Sequence, residues 1–197
     1  MLPEIVDRRS IRAYLPTPVS KEDVETVLRA GALAPSAKNR QPWRFTVTAG
    51  AGKAAALAAM AQGLAEEERR PLLPESAPFL SGARRTLAVM EQAPVVVFVT
   101  DPLARDPRQA LTADERVFEL CSAQSLGACI ENMSLQATAL GLGSLWICDT
   151  YFAYDALNGW LGGPGALAAA VALGYAAESP PPRPREMLES LTRWRMT

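Results

Sequence analysis

The sequence predicts a single α+β domain, and three features predict it. The chain has 197 residues, 49% of them hydrophobic and 21% charged, enough apolar material for one real core in a globular protein. Two short β-branched runs, RFTVT at 44–48 and APVVVFVT at 93–100, are bounded by Gly or Pro as buried strands are. Segments of helical spacing are intermixed with these strands without regular β-α-β alternation, which favours α+β over a doubly wound parallel fold.

In chain order, one short apolar turn leads into RRSIRAY at 8–14, where Arg8, Arg9, Ser10 and Arg12 fall within five positions. A helix over about 20–32 follows, because Ser20 with Asp23 has the form of a helix start. Val24, Val27, Leu28 and Gly31 then recur at helical spacing until Pro35 closes the segment. APSAKNRQPWRF at 34–45 reads as a helix end, a loop of amide and hydroxyl groups, and a strand entry with Trp43 as a core anchor. TVTAGAGKAAAL places Gly50, Gly52 and Ala55 after a strand, a superficial GxGxxA. The run lies mid-chain and no acidic strand end follows about 20 residues later, so it reads as a turn plus a helix start. It is not a Walker loop, since Val47 stands where the first glycine belongs and Ala54 where Ser or Thr should follow Lys53. Residues 64–84 mix charges with prolines and are expected to form a mobile insertion with substrate contacts.

The segment from Leu120 to Leu145 has Glu131 as its one charged side chain, yet it is too rich in Ser, Gln, Asn and Thr to cross a membrane. A helix with so little charge is expected to be buried nearly all round, and a subunit interface is the natural place for it. A strand at GSLWIC, a helix at YDALNGWLG and a strand within LAAAVALGY complete the core; PPPRPR, extended like polyproline, precedes a short final helix.

A formal charge of -1 gives no reason to expect nucleic acid or membrane as a partner. No long apolar stretch follows a basic N-terminal region, so a cytoplasmic location is expected. Cys121, Cys129 and Cys148 are widely spaced without a CxxC pair and read as buried reduced thiols. The chain has no histidine, which removes the commonest general base, the Ser-His and Cys-His systems, and most zinc and haem sites. No metal site is expected, and any enzyme chemistry needs another source.

Two basic clusters frame the chain. Arg8, Arg9, Ser10 and Arg12 combine planar forks, a hydroxyl and backbone N–H groups, which suit a phosphate but equally form a solvated turn. Arg183 and Arg185 stand at the other end, and both clusters could converge on one dianion if the termini meet. Ser36, Asn39 and Gln41, presented together, would suit the donors and acceptors of a planar heterocycle. Arg40 has no assigned contact.

RRSIRAY, APSAKNRQPW, GACIENMSLQATALGLGSLWICD and GYAAESPPPRPR, in that order, resemble the nitroreductase family of FMN-dependent oxidoreductases over nearly the whole chain. The resemblance implies one FMN-binding domain over residues 1–197, with a central mixed β-sheet flanked by helices, in an intertwined homodimer. Arg8, Arg9 and Ser10 would hold the FMN phosphate together with Arg183 and Arg185, and Arg12 would reach the pyrimidine edge. Arg84 or Arg85 is a further candidate there. Pro35, Ser36, Ala37 and Asn39 would come from the partner subunit to line the ring and ribityl chain, with Gln41 supporting that loop. Backbone groups near Cys148 and Asp149 would face flavin N5 and O4; the chain departs here from the glycine or glutamate common in the family.

The same resemblance implies a ping-pong oxidoreductase in which NADH or NADPH, as transient donor, passes hydride to the flavin. A small acceptor such as a nitroaromatic or quinone then receives it. No catalytic side chain is expected, since the flavin carries the chemistry. A narrower flavin-dependent dehydrogenase or dehalogenase, or a flavin-binding or sensing protein with little turnover, are the alternatives.

Overall fold

The computed structural model describes residues 1–71, 75 and 77–196. Helices α1 (Pro3–Asp7) and α2 (Lys21–Ala32) precede strand β1 (Arg44–Ala49) and helices α3 (Gly50–Arg69) and α4 (Leu80–Gln92). Strand β2 (Val95–Asp101), helix α5 (Ala113–Ala139), strand β3 (Gly143–Ile147), helix α6 (Tyr154–Leu161), strand β4 (Ala166–Gly174) and helix α7 (Leu188–Leu191) follow. Short 3-10 turns occupy Ala37–Asn39, Ala77–Phe79 and Asp149–Ala153.

The strands form one sheet in the order β1-β2-β4-β3, and each neighbouring pair is antiparallel. The sheet is therefore antiparallel rather than mixed as expected, and parallel pairing among the described residues is confined to an isolated bridge outside its named strands, Ser10 with Ser144, where the Ile11 N–H donates to the Ser144 carbonyl at 3.0 Å. Helices cover both faces. Val96 and Phe98 of β2 join Met60, Leu64, Met90 and Leu157 beneath α3, α4 and α6. Val95, Val97 and Val99 join Val27, Ile130 and Met133 beneath α2 and α5. Alternate side chains of β2 thus enter two cores, which is why its sequence is a continuous apolar run rather than an alternating one. Each fully buried side chain of this kind contributes about 1.5–3 kcal/mol.

Ser20 caps α2, its side chain accepting from the Asp23 N–H as the sequence predicts. Gly31 lets α2 lie directly on α5: a Cβ there would stand 2.7 Å from Met133 Cγ. Asn132 fastens the same contact, donating to the Ala30 carbonyl at 3.1 Å.

Helix α5 begins before Leu120 because Thr112 and Glu115 form a reciprocal capping box. Its expected burial all round is met on one side only within a chain: Ile130 and Met133 are in the core, but Val117 and Leu120 are 59% and 58% exposed.

The expected insertion over 64–84 is a correction, since helix occupies 64–69 and 80–84. Glu, Ala and Arg in LAEEERR are good helix formers, and Gly63 packs so closely that a Cβ would stand 2.5 Å from Ala153 Cβ. Pro71 disfavours helical backbone at Arg70 and ends α3 there. The remainder of that expectation falls partly on residues 72–74 and 76, outside the described residues. Among the described residues, no helix is long and apolar enough to cross a membrane.

Candidate functional site

The chain ends meet along a short antiparallel track. Tyr14 bridges Ala176, the Leu15 N–H donates to the Tyr175 carbonyl at 2.8 Å, and the Ala177 N–H donates to the Ala13 carbonyl at 2.9 Å. The Arg12 N–H donates to the Glu178 carboxylate beside them. This track carries the two arginine clusters together: Arg8, Arg9, Ser10, Arg12, Arg183 and Arg185 line one cavity of about 250 Å³.

Arg8 pairs with Glu131 of α5 at 3.3 Å, the one ion pair of these arginines among the described residues. Three of the other guanidiniums rest on backbone carbonyls: Arg9 on Val6 at 2.6 Å and Arg8 at 2.8 Å, Arg12 on Ser10 at 3.1 Å, and Arg185 on Pro184 at 3.2 Å. Carbonyls satisfy donors but do not neutralise charge, so the cavity concentrates positive charge in forks suited to a phosphate. Arg12 lines this same cavity, so within one chain it is not set apart at a separate pyrimidine end.

The Pro35–Gln41 loop lies elsewhere. Lys38, Asn39 and Gln41 have φ of 54°, 54° and 48°, the left-handed region, which costs most L-residues about 1–2 kcal/mol each. Ser36 Oγ accepts from the Gln41 N–H at 3.0 Å, and Gln41 Nε2 donates to the Asn39 carbonyl at 3.3 Å, so Gln41 does brace the loop. Two ties lead from the loop to α5. The Ala37 N–H donates to Ser125 Oγ at 3.2 Å, and the Arg40 guanidinium lies 4.2 Å from the Phe118 ring centroid. Arg40 therefore has a contact after all, one that spans 78 positions and leaves no local trace in the sequence.

None of residues 35–41 lines the arginine cavity of its own chain. Ser125, which anchors the loop, and Glu131, which pairs with Arg8, are six residues apart on α5. They differ by about 9 Å along the axis and about 240° around it. The fold of one chain thus separates the two halves of the predicted site onto different faces of one helix.

Cys148 and Asp149 follow β3 directly. Ser144, which bridges Ser10, and Cys148 are four residues apart, about 13 Å along the strand. Asp149 accepts from the Thr86 hydroxyl of α4, a positioning contact without a sequence signal. Arg84 is taken up by Glu68 at 2.5 Å. Buried thiols were expected, and Cys129 is buried, its pKa pushed up to about 12 by desolvation. Cys121 is half-buried and Cys148 exposed, the latter because it stands just past the strand end. Desolvation of its sulfur, then the Asp149 carboxylate, raises the Cys148 pKa, so the group is a thiol rather than a thiolate at neutral pH.

A larger cavity of about 740 Å³ lies between α3 and α6, with Glu66, Arg70, Arg108, Tyr154 and Asp155 in its wall. Its charges are largely answered internally, Arg108 by Asp106 and Asp155 and Glu66 by Arg69. None of the residues expected to hold FMN lines it, but Glu66, Glu67, Arg70 and Pro71 come from the 64–84 segment in which substrate contacts are expected.

The model of the Nitroreductase family matches residues 5–175. A Thermus thermophilus protein named NADH dehydrogenase is 32% identical over 200 residues, covering 95% of this chain and 92% of the relative. An Archaeoglobus fulgidus relative is 34% identical over 143 residues, which are 73% of this chain and 64% of that protein, so the match spans less than two thirds of it. A Desulfovibrio desulfuricans protein crystallised in complex with FMN is 26% identical, with a TM-score of 0.72 over 98% of this chain and 96% of that one.

Proposed function

The chain belongs to the nitroreductase family, and on that premise we propose that it is an FMN-dependent oxidoreductase. It takes hydride from NADH or NADPH and delivers it, in a ping-pong cycle, to a small acceptor such as a nitroaromatic or quinone. The observation that carries this reading is the arginine cavity: two clusters from opposite chain ends meet around one space, with most of their charge unanswered by carboxylates. That donor set fits a flavin phosphate.

Arg8, Arg9, Ser10, Arg183 and Arg185 would hold the phosphate, and Arg12 would supply positive charge toward the pyrimidine edge. When bound, FMN supplies a ring that accepts and returns two electrons as hydride. The chain's own contribution is to bind, to orient and to stabilise negative charge where it develops, which a fixed cation such as Arg12 does without reorganisation. Cys148 and Asp149 would present backbone groups to the ring. The raised pKa of Cys148 argues against a nucleophilic role and keeps the site without a named catalytic side chain.

The site would be completed in a homodimer, as a single FMN-binding domain over residues 1–197 contributed by each chain. Pro35, Ser36, Ala37 and Asn39 would serve the flavin of the other subunit. Three observations support this: the loop stands on a different face of α5 from the arginines, Pro35, Asn39 and Gln41 are exposed, and Val117, Leu120 and Trp146 leave apolar surface uncovered.

The test is the absorption spectrum of the purified protein under anaerobic conditions. A flavin spectrum that NADH or NADPH bleaches is expected. A flavin that stays oxidised with both donors would replace the reductase by a flavin-binding or sensing protein.

A further inference from the structure

The Ser36–Gln41 loop is held in a costly shape by a helix that does not itself belong to the proposed site. Three of its residues have left-handed backbone without being glycine. The bond from the Gln41 N–H to Ser36 Oγ closes the loop on itself but fixes it to nothing else. At its end Arg44 of β1 donates to the Gln41 carbonyl at 3.2 Å, and α5 anchors the body of the loop at two further points.

The first is Ser125, a buried side chain at 6% exposure. Its hydroxyl donates to the Cys121 carbonyl at 2.7 Å, which turns the oxygen lone pairs outward to accept the Ala37 N–H at 3.2 Å. One hydroxyl thus answers a backbone donor that an alanine would leave without a partner. The second is Phe118, half-buried, whose ring face receives the Arg40 guanidinium at 4.2 Å. The two anchors grip residues 37 and 40, on either side of the left-handed pair Lys38 and Asn39. Released at both points, the segment would relax toward the right-handed region that Lys38 and Gln41 otherwise prefer.

We propose that Ser125 and Phe118 are positioning residues of α5 that, through Ala37 and Arg40, preset the surface this chain offers to a flavin ring. The inference rests on the reading that this loop serves the ring. Positioning by packed elements rather than by ligand contact cuts the ordering cost of binding, so its loss is read in affinity for the ring.

The experiment measures FMN and riboflavin dissociation constants in apo wild type, Ser125→Ala, Phe118→Leu, Phe118→Tyr and Arg40→Ala, with circular dichroism reporting the fold. Ser125→Ala and Phe118→Leu are each expected to weaken both flavins about three- to tenfold by the same factor, since the phosphate end is untouched. Phe118→Tyr, which keeps the aromatic face, is expected to bind like wild type, whereas Leu preserves only apolar bulk. Arg40→Ala should reproduce Phe118→Leu and add no further loss to it, because both remove one contact. Lys38→Gly placed in Ser125→Ala should restore part of the affinity, as glycine takes the left-handed φ without steric cost.

Flavin affinities within twofold of wild type in Ser125→Ala and Phe118→Leu would overturn the inference while leaving the FMN reading intact. A wild type that binds neither flavin would overturn that reading first, and this inference with it. Should Ser125→Ala fail to fold, the contrast between Phe118→Leu and Phe118→Tyr decides the matter alone.

Discussion

Arg183 and Arg185 show how much a single residue's meaning depends on what faces it. In the sequence they are two exposed cations in a proline-rich tail; in the fold they share a cavity with Arg8, Arg9 and Arg12. Like charges held together repel, and an anion among them turns that repulsion into attraction. Replacing both Arg183 and Arg185 by Ala is therefore expected to erase most of the preference for FMN over riboflavin. Each lost charge-assisted hydrogen bond weighs about 1.5–3 kcal/mol. Titrating both flavins into apo wild type and the double variant isolates the phosphate contribution as a coupling energy, and an undiminished preference would mark these arginines as a solvated face. The residue types of this cluster were legible because arginine forks have recognisable chemistry. Glu131 was visible as a lone charge in an apolar stretch, but its pairing with Arg8 was not. Arg40, Ser125, Thr86 and Glu178 were missed because each acts on a residue far away in the chain.

At the scale of one element, α5 depends on its first turn. Thr112 Oγ1 accepts from the Glu115 N–H, and the Glu115 carboxylate accepts from the Thr112 N–H and pairs with Arg105. The Thr112 N–H bond and then Arg105 lower the Glu115 pKa from 4.5 to about 2. A depressed folded-state value means that stabilisation is present above the ordinary carboxylate range and is lost as pH falls toward 2. Chemical denaturation from pH 6 down to 2 should show that decline in wild type, and Glu115→Gln should lack this part of it. An identical profile in the variant would remove Glu115 from the acid response. Thr112→Ala should cost about 1 kcal/mol at neutral pH, read as a lower denaturant midpoint with an unchanged slope. This start, TADE, a Thr-x-x-Glu box, was missed in the sequence because the uncharged stretch after Leu120 drew the boundary inward. The charged end of α3 was misjudged for the converse reason: loop-like charge concealed good helix formers.

For the whole molecule, apolar surface left over by one chain is the decisive feature. Val117, Leu120 and Trp146 are exposed near the core helix, and Met187, Leu188, Leu191 and Trp194 are exposed along the C-terminal segment. Patches of this kind mark interaction surfaces, and an obligate homodimer commonly buries roughly 2,000 Å² or more. Sedimentation velocity at micromolar concentration is expected to show a dimer; a folded, FMN-loaded monomer would refute the shared site. The sequence by itself determined what neighbours within a few positions can encode: the Ser20 cap, the buried run of β2 and the phosphate-matching chemistry of the arginines. Tertiary structure alone decided the strand order β1-β2-β4-β3, the meeting of the chain ends, the left-handed backbone of Lys38, Asn39 and Gln41 and the tie of their loop to α5. Periodicity and capping arise from local backbone geometry, whereas which distant residues meet follows from how all the elements bury their apolar faces at once.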